Sequence, residues 1–241
     1  MDLSDLISGL RQTRTVDLSQ TMEEHMPNFP THSKFYHDMW GSYWHGDRAL
    51  TFQLVMNEHN GTHVDAPAHF VTDANPEAHK TIEQIAPNHL VGRGVRLDCR
   101  GAKEGDYISE DFIKDWESHH GAIQAGDIVL FNFGWSEYWA LRPDNRRYLN
   151  DWPGVSMEAA EYLISKSIAA IGVDSLSPDP PAALAGKYIH RKVLENQVLI
   201  IENLTRLDEL PDFFLFIALP LKIRQGSGSP IRAIALVPGA E

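Results

Sequence analysis

Residues 57–70 read Asn-Glu-His-Asn-Gly-Thr-His-Val-Asp-Ala-Pro-Ala-His-Phe, which sets imidazoles at His59, His63 and His69 and a carboxylate at Asp65. Neutral imidazole nitrogen and carboxylate oxygen are ligands for Zn²⁺, Mn²⁺ or Fe²⁺. Two histidines and one carboxylate leave coordination positions open, as a catalytic metal requires and a structural one does not. A divalent cation held this way acidifies water and polarises a carbonyl, which is the chemistry of hydrolysis. All four positions are odd, so an extended backbone directs them to one face. A helix would also bring His59 and His63 together, but Asn60-Gly61 is a poor helix interior and Pro67 interrupts further on. The segment is therefore predicted to be a strand end, a turn at Asn60-Gly61 and extended chain at Ala66 ahead of Pro67.

The surrounding elements must position these groups. Seven of the twelve histidines fall between His25 and His69. Met26 to Trp44 reads as a loop, with Pro27, Pro30, Gly41 and the aromatics Phe29, Phe35, Tyr36, Trp40, Tyr43 and Trp44. Large aromatics in a loop suggest the wall of a pocket or a subunit contact. Leu50, Phe52, Leu54 and Met56 alternate with Thr51, Gln53 and Asn57, a strand pattern that leads directly to His59. Val16–Ser19, Gly94–Asp98, Asp127–Phe133, Ala169–Asp174, Val198–Asn203 and Ile231–Val237 read as further strands. Leu3–Leu10 has helical spacing. Ser109 is placed to cap a helix through His119, and Ser156 one through Ile168. A further helix is expected over Ala182–Leu194. Helices scattered among more numerous strands predict an α/β protein with a mixed sheet or barrel-like core and peripheral helices.

The chain has 241 residues, with no repeat and no Gly-, Ser- or Pro-rich linker, so a single domain over 1–241 is the simplest organisation. The formal charge of −12 gives nucleic-acid binding little support. One cysteine, Cys99, excludes a disulfide within the chain. The first residues are acidic where a signal peptide needs positive charge. The longest apolar stretch, Phe213–Leu221, is nine residues, against about 20 for a membrane span. A cytoplasmic protein without a membrane partner is expected.

Other motifs are weaker. No G-x-S-x-G elbow occurs. Gly226-Ser227-Gly228-Ser229-Pro230 lacks the lysine of a phosphate loop and reads as a turn before the last strand. Cys99 reads as a quiet strand-end thiol. Asp174 and Asp179 flank Ser175 and Pro178 and suit a turn or a pocket wall, and Asp174, which follows a strand, also suits support of the site.

His59-Asn60-Gly61-Thr62-His63-Val64-Asp65-Ala66-Pro67-Ala68-His69 resembles the signature of the cyclase-like metal hydrolases, the family of bacterial kynurenine formamidase and isatin hydrolase. The resemblance continues through Asp17-Leu18-Ser19, Met26-Pro27-Asn28-Phe29-Pro30, Gly134-Trp135-Ser136, Gly172-Val173-Asp174-Ser175, Glu202-Asn203-Leu204 and Gly228-Ser229-Pro230-Ile231-Arg232. It implies a swivelling β/β/α-type fold and a homodimer or homotetramer. It makes His59, His63 and Asp65 ligands of a divalent metal, zinc or manganese, and His69 the proton donor and acceptor. In the formamidase branch the shared aspartate, a distal histidine and a glutamate twelve residues later hold a second metal; His190 and Glu202 match that spacing. The formamidase loop carries tryptophan where this chain has Phe29.

The reaction so implied is hydrolysis of an amide C–N bond in an aryl formamide or a cyclic amide such as isatin. Phe29, Phe35, Tyr36, Trp40 and Trp44 are the candidates to hold a flat aromatic or cyclic substrate. Lactone hydrolysis or dehydration on the same site, or a non-catalytic member that binds metal or an aromatic ligand, are the alternatives.

Overall fold

Every residue of the segment Ile128–Asn132 is buried, which a strand achieves only when both its faces are covered. Val129 and Phe131 enter one apolar cluster and Ile128 and Leu130 another. The protein, seen here as a computed structural model that describes residues 2–181 and 189–239, is organised around that division.

Helix α1 (Leu3–Arg11) precedes β1 (Thr13–Asp17), β2 (Tyr36–Gly41), β3 (Thr51–Val55), β4 (His63–Asp65), β5 (Val91–Asp98) and β6 (Tyr107–Ile108). Then follow α2 (Glu110–His120), β7 (Ile128–Asn132), β8 (Gly154–Val155), α3 (Met157–Ser165), β9 (Ala170–Val173) and α4 (Ile189–Glu195). The last strands are β10 (Leu199–Glu202), β11 (Phe213–Ile217), β12 (Gly228–Pro230) and β13 (Ile234–Pro238). One sheet, in the order β1-β13-β11-β5-β7-β9-β10-β4-β12, curls into a half-barrel. Its centre, β5-β7-β9-β10, is parallel, and α2, α3 and α4 fall in sequence between successive parallel strands. Both flanks are antiparallel. The mixed α/β class with peripheral helices is therefore as the sequence predicts.

Side-chain alternation assigns the two faces. Ile113 and Trp116 of α2, Ala160 and Leu163 of α3, and Val193 and Leu194 of α4 pack on Leu97, Phe131, Ile171 and Ile200. The opposite face gathers Val16, Val64, Leu130, Leu199, Ile201, Phe214, Phe216 and Ala235. Each such aliphatic or aromatic side chain contributes about 1.5–3 kcal/mol on burial, so the clusters on the two faces fix the sheet.

Some expectations need correction. The segment 26–44, read as loop, contains β2, because Tyr36–Gly41 finds a partner in β3, residues away in sequence. The alternating Leu50–Met56 segment is a strand, but every residue of β3 is exposed. The helix capped by Ser156 ends at Ser165 rather than Ile168, since Ser167 adopts φ 59°, outside the helical region. The expected turn at 226–230 includes β12, which pairs with β4. Of the helix expected at 182–194, residues 182–188 lie outside the described residues. Among the described residues no helix is long and apolar enough to cross a membrane.

Candidate metal centre

Strand pairing assembles the site. β4 lies between β10 and β12, with Glu202 opposite His63 and Gly228 opposite Asp65. His63 and Asp65, two residues apart, share one face with Glu202, and Val64 turns into the opposite cluster. Ile200, on the same side of β10 as Glu202, packs in the helix-side cluster, so the site lies between sheet and helices. Helix α4 brings His190 to this face. The turn before β4 contains Gly61 at φ 65°, a conformation open to glycine, and it folds His59 back over the strand. After β4, Ala66 is extended and Pro67 opens a short 3-10 turn that carries His69. The predicted strand, turn and extended residue are thus all present.

The polar atoms converge. His59 Nδ1 stands 2.6 Å from Asp65 Oδ1, and His63 Nε2 lies 3.4 Å from that oxygen and 3.3 Å from Glu202 Oε2. His190 Nε2 is 3.5 Å from Asp65 Oδ2 and 3.2 Å from Glu202 Oε1. The remaining ring nitrogens are tied down outside the centre. His63 Nδ1 donates to the Gly61 carbonyl, His190 Nδ1 bonds the Asp179 carboxylate, and His59 Nε2 meets Ser227 Oγ. Such outer partners fix which nitrogen a histidine offers a metal.

These residues fit a divalent cation. One ligand atom each from His59, Asp65 and His69 lies within 4.8 Å of the others, and the same holds for His63, Asp65 and Glu202. Glu202 Oε1 is buried and makes no well-aligned hydrogen bond, although His190 Nε2 stands 3.2 Å away. Buried charges of this kind are costly unless paired with each other or with a metal.

The charges show the same demand for positive charge. Burial alone would lower the pKa of His63, but the carboxylates of Asp65 and Glu202 outweigh it and raise it to about 10. Burial also opposes the charged form of His190, yet Asp179, Asp65 and Glu202 push its pKa well up. Burial would raise Asp65, and the surrounding His59, His190 and His63 instead hold it well below the usual carboxylate range. His69 behaves differently: burial drives its pKa down to about 4, so its imidazole is neutral at neutral pH.

A cavity of 210 Å³ opens over the cluster and reaches His59, His63, His69, His190 and Glu202. Phe29, Thr31, His32, Phe70, Ser177 and Asp179 complete its wall. Of the aromatics proposed from sequence, only Phe29 lines it. Phe35 is buried beside His37, and Tyr36, Trp40 and Trp44 are 45%, 78% and 67% exposed on or beside the β2–β3 ribbon. A wider cleft of 540 Å³ at Arg100, Trp135 and Arg147 lies apart from these ligating groups.

Sequence reasoning passed over His32 and Phe70 as wall residues, and Ser227 as a partner of His59. His32 carried a signal, being one of the clustered histidines. Asp179 was read only as a turn or wall residue; its hold on His190, eleven residues on in sequence, needed the fold. Asp174, proposed as a support, is fully buried, accepts from Phe133 N–H at 3.0 Å, and burial raises its pKa to about 7.

The family model described as "Putative cyclase" matches residues 16–180. The chain is 34% identical over 204 residues to isatin hydrolase of Roseibium aggregatum, covering 78% of this chain and 74% of that protein. It is 29% identical over 224 residues to kynurenine formamidase of Erythrobacter litoralis, covering 92% and 94%. The crystal structure of an isatin hydrolase bound to the product analogue thioisatinate superposes with a TM-score of 0.88 at 28% identity, covering 99% of this chain and all of that one. With its signature histidines and aspartate gathered between sheet and helices of the same fold, this chain belongs to the cyclase family.

Proposed function

We propose that the protein is a metal-dependent hydrolase that opens an amide C–N bond in a small aromatic or cyclic substrate of the isatin or N-formylkynurenine type. The observation that carries this is the packing of His59, His63 and His190 against the Asp65 and Glu202 carboxylates beneath a cavity walled by Phe29 and Phe70. Both relatives' names denote opening of such a bond.

His59, His63 and Asp65 would hold a first zinc or manganese ion, and Asp65 with His190 and Glu202 a second. A bound divalent cation supplies Lewis acidity toward a carbonyl and lowers the pKa of water. His69 lies at the cavity edge with a neutral ring stacked 4.0 Å from His59. It accepts the proton of the attacking water and returns it to the leaving nitrogen, since an amine leaves readily only when protonated. Water adds to the acyl carbon, the C–N bond breaks, and the products are a carboxylate, an amine and a released proton. Phe29 and Phe70 offer apolar surface to a flat ring. The neighbouring His32 has its pKa lowered by burial and by His59 and His63, so it adds no fixed charge to the wall.

The ribbon aromatics support association of two copies. Trp40, Trp44, Tyr43, Tyr36, Phe52, Met39 and Leu54 are each at least 39% exposed. At 150–250 Å² per aromatic, they present on the order of 700 Å² of apolar surface, near what one partner buries in a standard interface. A homodimer through this ribbon is the assembly we favour. The lone buried thiol of Cys99 suits a reducing, cytoplasmic setting.

Metal analysis of the purified protein, with isatin, N-formylkynurenine and small lactones as substrates, tests the reading. Chelator-sensitive hydrolysis of one of the amides is the expected result. Activity that survives complete removal of metal overturns it, and exclusive lactone cleavage reassigns the substrate.

A further inference from the structure

The glycine-flanked Ser227 does more than turn the chain. A Cβ at Gly228 would stand 2.6 Å from His59 Cε1 and 2.7 Å from the Val64 carbonyl oxygen. One at Gly226 would stand 2.8 Å from Ile82 Cγ2 and 2.9 Å from Glu58 Oε1. Neither position has room for a side chain, so this loop runs directly against the His59 ring. Its backbone is pinned on both sides: Ser227 O accepts from Ala66 N–H at 2.9 Å, and Gly226 O from Ile82 N–H at 2.9 Å. Between the glycines, Ser227 Oγ lies 2.9 Å from His59 Nε2 and donates to Glu58 Oε2 at 2.8 Å. Ser227 N–H donates to the same oxygen at 2.8 Å.

We infer that Glu58 and Ser227 form a positioning relay that makes His59 offer its Nδ1 to the metal. The direction follows from proton counting. A carboxylate only accepts, and a serine hydroxyl has one proton to give. That proton goes to Glu58, so Ser227 Oγ must accept from His59, and a His59 proton sits on Nε2. Nδ1 then faces Asp65 Oδ1 at 2.6 Å. In the metal-free protein a proton on Nδ1 makes this contact a hydrogen bond, and a divalent ion takes that proton's place between the two atoms. The relay therefore holds Nδ1, and not Nε2, as the ligand atom turned toward the centre. His63 and His190 are oriented the opposite way round, by bonds from their Nδ1 atoms, and present Nε2.

This inference rests on the metal reading of the site, and the experiment separates the two. Zn²⁺ affinity is measured by chelator competition on the full chain, with Ser227→Ala, Ser227→Thr and Glu58→Gln. Imidazole ¹⁵N resonances of the zinc form report which nitrogen carries the proton. Ser227→Ala and Glu58→Gln are expected to weaken Zn²⁺ binding roughly 10- to 100-fold, the usual effect of losing an outer partner of a metal ligand. Ser227→Thr, which keeps the hydroxyl, retains most of the affinity, and the melting temperature of the metal-free protein moves little. The His59 resonances show a proton on Nε2. Unchanged affinity in Ser227→Ala, or a His59 proton on Nδ1 in the zinc form, overturns the relay while leaving the metal reading intact. Wild-type protein that binds no Zn²⁺ or Mn²⁺ overturns both.

Discussion

The floor of the cavity and the β2–β3 ribbon are neighbours in sequence and opposites in construction. Only residues 56–58 separate the end of β3 from His59. His63, Asp65 and Glu202 are charged or polar and 2%, 1% and 7% exposed; Trp40, Trp44 and Leu54 are apolar and 78%, 67% and 53% exposed. The reason is the company each strand keeps. β4 has a partner on either side within a nine-strand sheet and a helix over one face, whereas β2 and β3 have only each other. A two-stranded ribbon cannot bury its own side chains. The floor tolerates burial because its imidazoles and carboxylates pair with one another. Each region is incomplete in its own way: the floor concentrates carboxylates that call for a cation, and the ribbon exposes apolar surface that calls for cover.

The contrast can be broken by experiment, first at the floor. Asp65 touches His59, His63 and His190 at once. Asp65→Ala is expected to abolish metal retention and lower kcat/KM roughly a thousandfold or more, since a catalytic metal supplies several kcal/mol and 1.4 kcal/mol is a factor of ten. Retained metal content in that variant would break the picture of a shared ligand. His69→Ala is expected to lower kcat by roughly 10²–10⁴ while metal remains bound, as loss of a general base does. Full turnover with metal present would remove His69 from the mechanism.

A milder effect comes from pH. In the metal-free protein His63, with its pKa raised to about 10, and His190, also raised, hold protons that a metal must displace. Below those pKa values each unit of acidification favours the protonated ligands, so affinity falls as pH falls, by roughly tenfold per unit for each proton released. Metal titrations between neutral and weakly acidic pH, showing the slope and the released protons, check this. A flat profile would contradict the charge pattern at the centre.

The smallest effect on chemistry is expected at the ribbon. Trp40→Lys should shift the sedimentation profile toward monomer and leave metal content unchanged. A variant that stays assembled places the interface elsewhere, and one that loses metal ties the ribbon to the floor.

Local signals carried much of this protein. Ser109 and Ser156 cap the helices they announce, because a cap needs only the next few residues. Apolar runs at 127–133 and 198–203 became strands because burial on both faces leaves a continuous apolar record. The spacing of His59, His63, Asp65 and His69 located the centre because strand, turn and proline confine those side chains within a dozen residues. His190 and Glu202 came instead from resemblance, and β-strand register supplied the physical reason by setting Glu202 opposite His63.

Tertiary structure alone decided the rest. The aromatics of the 29–44 segment look alike in sequence, yet one lines the cavity, one is buried and four stand in solvent beside or on the ribbon, since exposure depends on what packs against a strand. The contacts of Ser227 with Glu58 and His59 span 169 and 168 residues. Composition and periodicity report what a segment can bury and how it curls. They hold no record of which distant hydroxyl will meet which ring, because that is fixed only when nine strands choose their order.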